Sequence, residues 1–146
     1  WRDYGQALCA ISCGGGATLA FIIYFVLDIR PWYQASSIIP IAGMIFAASM
    51  NAVSVAAERF VMETKHGSAP IVARNEAFKA GLIPIFNSLL AVGLVSLPGM
   101  MTGQILSGVP PLIAARYQIV VMCMITGASG ISAAIYLHLV SKNKTA

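Results

Sequence analysis

Long apolar runs that contain almost no charged residues dominate this chain. Ala7–Ile29 is uncharged as far as Asp28, and Ala35–Ala57 contains no charge at all. Each run has the roughly 20 residues that an α-helix needs to cross a bilayer. Two further apolar runs, beginning near Gly81 and Tyr117, follow a polar stretch. The pattern predicts an all-α integral membrane protein with about four transmembrane helices.

The composition agrees with a membrane protein and excludes several other classes. Hydrophobic residues make up 58% of the chain and charged residues 10%, whereas soluble domains are about a quarter charged. The 146 residues leave room for a single membrane domain, 1–146, and for no sizeable soluble domain. The net charge of +4 is spread over short loops, so it does not indicate a nucleic-acid partner. Three cysteines, an odd number, do not form a disulfide framework.

The third apolar run contains a break, within the segment Gly81–Met124. Leu97-Pro98-Gly99 interrupts the run, because proline lacks an N–H and glycine adopts backbone conformations that stop a helix. Irregular backbone at membrane depth is tolerated only where protein or a wet cavity satisfies its polar groups. The sequence therefore predicts a broken third span that the other helices surround.

Several polar or polarisable side chains lie in or near the apolar runs and are candidates for a substrate pathway. They are Asn51, Asn87, Met100, Met101, Thr102 and Gln104. A membrane-embedded asparagine either bonds a neighbouring helix or lines a path, and methionines commonly fill gaps in packing. Thioethers suit soft metals such as Cu(I), whereas amides and hydroxyls suit harder cations or sugars. The chemical nature of the substrate is therefore left open.

Small residues and two cysteines suggest where helices pack. Gly99 and Gly103 form a GxxxG pattern, and Gly127 and Gly130 form a second small-residue face; both patterns are typical of close helix packing and self-association. Cys9 and Cys13, one helical turn apart, could bind a soft metal. No nearby histidine or carboxylate completes such a site, so the pair is interpreted as packing residues and no metal is assigned.

The only sustained polar stretch is Glu58–Lys79, which Gly67, Ser68 and Pro70 divide into two amphipathic pieces. With four spans, this loop and both tails share one side of the membrane, and that side carries most of the basic residues, which places it in the cytoplasm. His66, beside Lys65, is interpreted as solvated rather than as a metal ligand or pH switch. The basic residues on that side are Arg2, Arg59, Lys65, Arg74, Lys79, Lys142 and Lys144, against Arg30 and Arg116 on the other.

Motifs for catalysis are absent from the sequence, which predicts a transport subunit rather than an enzyme. It has no nucleophile–base arrangement, paired carboxylates, phosphate-binding loop or zinc spacing. None of its five acidic residues lies within an apolar run at mid-membrane depth, which argues against a proton-coupled carrier. Energy for uphill transport would come from a motor subunit acting on the polar loop.

One long motif carries a family resemblance. LPGMMTGQILSGVPPLIAARYQIVVMCMITGASGISA (Leu97–Ala133), preceded by IIPIAGMIFAASMNAVSVAAER (Ile38–Arg59) and AGLIPIFNS (Ala80–Ser88), resembles the permeases of FetB-like iron-export ABC transporters, whose plant relatives act in aluminium tolerance. The resemblance covers nearly the whole chain from Ile38. It implies a permease that forms a homodimer in the bilayer and pairs with a cytoplasmic ATP-binding subunit. No cofactor is expected on this chain, and ATP is expected on the partner.

The chain also departs from the family pattern. Family members are longer at the N-terminus, so the resemblance implies that this chain is the C-terminal half, or somewhat more, of a longer permease. Between Glu58 and Ala80 the family has a longer cytoplasmic helix pair with an EALALGA-like motif, where this chain has only ETKHGSAP, Glu63–Pro70. The residues expected to couple this loop to the ATPase are Glu58, Arg59, Glu63, His66, Arg74 and Glu76.

These patterns lead to one preferred function and two alternatives. The preferred function is the permease subunit of an ABC-type exporter of iron or another metal ion. One alternative keeps the permease and changes the cargo to a nucleotide sugar or other small solute. The other is a membrane scaffold or truncated remnant that transports nothing.

Overall fold

The computed structural model describes residues 2–26, 35–92 and 98–145, and within these ranges the protein is entirely helical. α1 (Arg2–Phe21) continues as one π-helical turn, Ile22–Val26. The remaining helices are α2 (Ala35–Lys65), α3 (Pro70–Ala91), α4 (Gly99–Leu106) and α5 (Pro111–Thr145). The predicted all-α class is confirmed for the described part of the chain.

Three helices in the described part of the chain are long and apolar enough to cross a membrane. They are Tyr4–Phe25, Ile38–Lys65 and Pro111–Lys142. The 31 residues of α2 extend for about 46 Å, more than the roughly 30 Å of a bilayer core, so one end of α2 must project from it. The predicted third span corresponds to the second half of α3, and residues 93–97 of the predicted break lie outside the described residues. A crossing by that segment therefore stays a prediction.

A tight turn joins α2 to α3 and makes them an antiparallel pair. The N–H of Ser68 donates to the carbonyl of Glu63 and that of Gly67 to the carbonyl of Thr64, both at 3.2 Å. This pair of hydrogen bonds requires a residue in the left-handed backbone conformation just past the end of the helix. Gly67 adopts that conformation, with a φ of +79°. Pro70 then begins α3, where a missing N–H costs nothing.

The segment Glu58–Lys79, named here the α2–α3 hairpin, is therefore mostly helical rather than an open loop. α2 continues for eight residues beyond the predicted end of the second span at Ala57. The continuation contains good helix formers such as glutamate, methionine, arginine and lysine. The end of the bundle that carries this hairpin is called the hairpin end below.

Small residues allow α2 and α3 to approach closely. Ala52 and Ala56 on α2 face Ala77 and Gly81 on α3, and all four are buried. A Cβ added at Gly81 would lie 2.8 Å from the Ala52 carbonyl oxygen and 3.0 Å from the Ala56 Cβ. Such contacts between backbones are the usual basis of helix association inside a membrane.

α5 is the central helix, packed against α1, α2, α3 and α4. At the hairpin end, Phe60 of α2 and Leu137 of α5 form an apolar cluster with the alanines of α2 and α3. At the opposite end a second cluster joins α1, α2 and α5. Between the two, α1 crosses α5 at Gly14, where an added Cβ would lie 2.9 Å from the Ser132 Cα.

Candidate functional site

A cavity of about 290 Å³ lies between α2, α3 and α5, midway along the bundle. α2 contributes Asn51 and three alanines, and α5 contributes Ile125 and Ser129. The residues from one face of α3 are Gly81, Pro84, Ile85 and Ser88. The close packing of Gly81 against Ala52 forms one edge of the cavity. We call this space the polar cavity, because an amide and two hydroxyls line an otherwise apolar wall.

All the polar groups of the polar cavity are uncharged. Ser88 Oγ donates to the carbonyl oxygen of Pro84 at 3.0 Å, within the cavity wall. Pro84 lacks an N–H, so it removes the donor that the carbonyl of Ala80 would normally bond in a helix. Amide, hydroxyl and carbonyl oxygens are ligands for hard cations and partners for polar solutes. The polar cavity can therefore hold a polar guest without a buried carboxylate.

The structure separates the predicted pathway residues into two groups. Both asparagines are exposed, and Asn51 lines the polar cavity, whereas Asn87 on α3 is not part of its wall. Four predicted pathway residues lie on α4, which packs on α5, and none of them lines the polar cavity. Thr102 Oγ1 bonds the carbonyl of Pro98 in its own helix at 3.2 Å, and Gln104 has a buried Oε1 with no hydrogen-bond partner. The other two are Met100 and Met101.

The glycines predicted to pack helices face open space within one copy of the chain. A Cβ added at Gly99, Gly103, Gly127 or Gly130 would meet no other atom within 4 Å. Among the glycines that the structure describes, those that make close contacts are Gly14, Gly15 and Gly81. The described residues of one copy do not pack closely at these four positions, and close packing there stays a prediction.

Cys9 and Cys13 form an exposed thiol pair on α1. Their Sγ atoms are 4.0 Å apart, as expected for residues one helical turn apart. No group of three or more histidine, cysteine or acidic side chains occurs among the described residues. Among those residues, the pair has no third candidate ligand.

The charges of the α2–α3 hairpin form a short network. Arg59 and Glu63 make an ion pair at 2.7 Å, and Ser68 Oγ donates to the other oxygen of Glu63 at 2.8 Å. Lys79 Nζ lies 2.8 Å from Glu76 and, by donating to it, holds the pKa of the Glu76 carboxyl below its usual range. The two ion pairs each lie within one helix, and the hydrogen bond from Ser68 to Glu63 ties the turn to the end of α2.

The remaining predicted coupling residues have different surroundings. His66 Nδ1 lies 2.8 Å from the carbonyl oxygen of Met62, at the end of α2, where it can cap the helix. Glu58 is exposed, and Arg74 faces α5 rather than the hairpin network. The hairpin also exposes four apolar side chains, Val61, Met62, Ile71 and Val72.

Ser88 and Ser129 belong to the polar cavity and were not among the predicted pathway residues. Serine is common in membrane helices, where it often bonds its own backbone, so its presence alone carries little information. The available signal was their position on the helices that also carry Pro84 and the Gly127–Gly130 region. A helix interrupted by proline and a helix rich in small residues both favour an interior cavity.

Together these features define a helical membrane protein with several apolar spans and an uncharged polar cavity between them. The family profile described as "Uncharacterised protein family (UPF0014)" matches residues 2–74 and 64–144. The chain therefore belongs to the UPF0014 family. The two matches overlap over residues 64–74, which contain the turn of the α2–α3 hairpin.

Individual relatives agree with this assignment. The chain is 36% identical over 153 residues to the "Probable iron export permease protein FetB" of Escherichia coli (strain K12), covering 94% of this chain and 58% of the relative. It is 34% identical over 137 residues to "UPF0014 membrane protein slr1647" of a Synechocystis strain, covering 84% and 53%. It is 32% identical over 143 residues to "Protein ALUMINUM SENSITIVE 3" of Arabidopsis thaliana, covering 88% and 52%.

The chain spans about half the length of these relatives. No solved structure matches it significantly. One of these relatives is named as a permease, which is a transport protein, and another as a membrane protein.

Proposed function

We propose that this chain is the permease part of an ABC-type transporter that exports iron or another metal ion and is driven by a separate ATP-binding subunit. The observation that carries the proposal is the polar cavity, in which Asn51 faces Ser129 and the proline-containing turn of α3. Its uncharged oxygen groups could coordinate a cation weakly enough for release. The name of the Escherichia coli relative supports iron as the cargo.

The α2–α3 hairpin is the proposed contact for the ATP-binding subunit. The positive-inside rule supports a cytoplasmic hairpin and cytoplasmic tails. Exposed apolar side chains at Val61, Met62, Ile71 and Val72 have no partner helix within the described bundle, and such patches often mark protein contacts. Motion of this hairpin would move α2 and α3, and with them two walls of the polar cavity.

The number of spans and the oligomeric state follow as parts of the same proposal. In a four-span arrangement, the second half of α3 and the short α4 form the broken third crossing. α4 is only 8 residues long and has no buried residue. A homodimer in which α4 and the open glycines of α5 contact a second copy would cover these surfaces.

The test compares two asparagines in cells that express the chain with an ATP-binding subunit and have been loaded with labelled iron. Asn51→Ala should lower the efflux rate about tenfold, because a contact to a charged species is worth about 1.5–3 kcal/mol. Asn87→Ala, which removes the same amide from outside the polar cavity, should leave efflux within about twofold of wild type. Equal efflux by the two variants would remove the polar cavity from the pathway.

Two further measurements separate the alternatives. Co-purification of an ATP-binding subunit with the chain distinguishes a permease from a scaffold that transports nothing. Stimulation of ATP hydrolysis by metal ions, compared with stimulation by nucleotide sugars, distinguishes the metal cargo from the small-solute cargo. Stimulation by sugars alone would contradict metal export.

A further inference from the structure

A second cavity, of about 280 Å³, lies between α3 and α5 at the hairpin end. It shares no lining residue with the polar cavity. α5 continues as a possible membrane span to Lys142, one helical turn beyond His138 in this cavity. The cavity therefore lies near the boundary between membrane and water. Its lining residues are Arg74, Asn75, Phe78, Ala134, Leu137 and His138.

One side of this cavity offers N–H donors and no carboxylate. The donors come from the Arg74 guanidinium, the Asn75 amide and the His138 imidazole. Glu63 and Glu76, the nearest glutamates along the hairpin, are paired with Arg59 and Lys79 instead.

Arg74 is half-buried, and the structure gives it no ion pair among the described residues. A half-buried guanidinium that makes no ion pair and lies beside further N–H donors can bind a phosphate. Its coplanar N–H groups match the spacing of two phosphate oxygens.

The other side of the cavity is apolar. Phe78 follows Arg74 by one turn of α3, and Ala134 precedes His138 by one turn of α5. In each helix the apolar residue therefore lies farther from the hairpin end than the polar residue, towards the middle of the bundle. A ligand with an anionic head and an apolar tail would contact both sides, whereas a soluble phosphate compound would use only the donors.

We propose that this cavity binds the phosphate group of an anionic phospholipid, with Arg74 as the main contact and an acyl chain lying against Phe78 and Ala134. Basic pockets between membrane helices near the cytoplasmic surface recognise such headgroups. The proposal does not depend on the transported substrate, and a failure of metal export would leave it unchanged.

The experiment is a titration of the detergent-purified chain with phosphatidylglycerol, followed by native mass spectrometry, with zwitterionic phosphatidylcholine as the comparison lipid. One phosphatidylglycerol should bind per chain, more tightly than phosphatidylcholine. Arg74→Gln should weaken phosphatidylglycerol binding about fivefold, the contribution expected of one basic residue near the surface. Lys79→Gln is the matched control, since it removes the same charge from the same helix outside the cavity, and it should change binding by less than about twofold.

A second variant and a soluble competitor complete the test. Arg74→Lys keeps the positive charge but cannot bind two phosphate oxygens at once, so this variant should bind phosphatidylglycerol more weakly than wild type. This comparison remains informative if Arg74→Gln fails to fold. Glycerol 3-phosphate should not displace the lipid at equal concentration. Equal binding by the Arg74→Gln and Lys79→Gln variants, or equal affinity for the two lipids, would overturn the site. Displacement by glycerol 3-phosphate would overturn its assignment to a lipid.

Discussion

The two ends of this helical bundle are built differently. At the hairpin end, α2, α3 and α5 enclose Phe60, Tyr136 and Leu137 within a contiguous cluster of buried alanines. α4, which packs on α5, has no buried residue and exposes Leu106 almost completely. The hairpin end therefore has a buried core beneath an exposed apolar surface, whereas α4 contributes no residue to a buried core.

This difference bears on the transport function proposed above. A tightly packed hairpin would move as a rigid unit if a partner subunit displaced it, because close-packed interiors deform little. A loosely contacted α4 can change its neighbours at low cost, because it has few buried contacts to lose. The polar cavity lies between these two regions, bounded by the helices that would move and by the central helix α5.

The largest expected effect compares a core aromatic with an exposed leucine. Phe60 is 1% exposed and Leu106 is 83% exposed. Phe60→Ala should lower the free energy of unfolding by about 3–5 kcal/mol, since it leaves a cavity in the hairpin-end cluster. Leu106→Ala should change it by less than about 0.5 kcal/mol. Reversible denaturation in detergent measures both, and similar losses would mean that the two regions do not differ in packing.

A second comparison uses two helical glycines. Gly81→Leu should destabilise the chain by about 1–3 kcal/mol, because the side chain would meet the Ala52 carbonyl at the α2–α3 interface. Gly103→Leu has open space around it and should leave the thermal stability of a single copy and its membrane insertion intact. Both Gly103→Leu and Gly99→Leu should nevertheless abolish transport if α4 packs against a second copy.

Cross-linking of the chain in membranes tests whether α4 packs against a second copy. Loss of a cross-linked dimer together with loss of transport would support packing between copies at α4. Retained export by Gly103→Leu would contradict close packing at this glycine, and a stable Gly81→Leu protein would contradict the tight α2–α3 interface.

The sequence predicted where the helices lie along the chain better than which face of each helix packs against its neighbours. An apolar run was enough to start α2 at Ala35, because a membrane helix needs length and hydropathy alone. The face of α2 was harder to predict. Gly43 and Ala47 are exposed, although Ala47 lines the polar cavity, whereas Ala52 and Ala56 lie against Gly81 on α3. In a run where nearly every residue is small or apolar, periodicity does not fix which side faces a neighbour.

The polar cavity shows the same limit. Asn51, which lines this cavity, was a predicted pathway residue because an amide within an apolar run needs a polar partner or a wet surface. Ser129 was not, because a serine in a membrane helix has several equally good local partners. The distance between Asn51 and the α4 residues depends on tertiary packing, and no spacing along the chain encodes it.

The smallest expected effects come from two glycines whose replacement by alanine should have opposite signs. Gly67 has a φ of +79° in the turn of the hairpin, where a Cβ costs about 1–2 kcal/mol. Gly43 lies within α2, with no atom within 4 Å of an added Cβ, so alanine should stabilise the helix by about 0.5–1 kcal/mol. The midpoint temperature of thermal unfolding should therefore fall for Gly67→Ala and rise for Gly43→Ala. A rise for Gly67→Ala would mean that the turn is not held in the left-handed conformation and that the hairpin is not fixed as one unit.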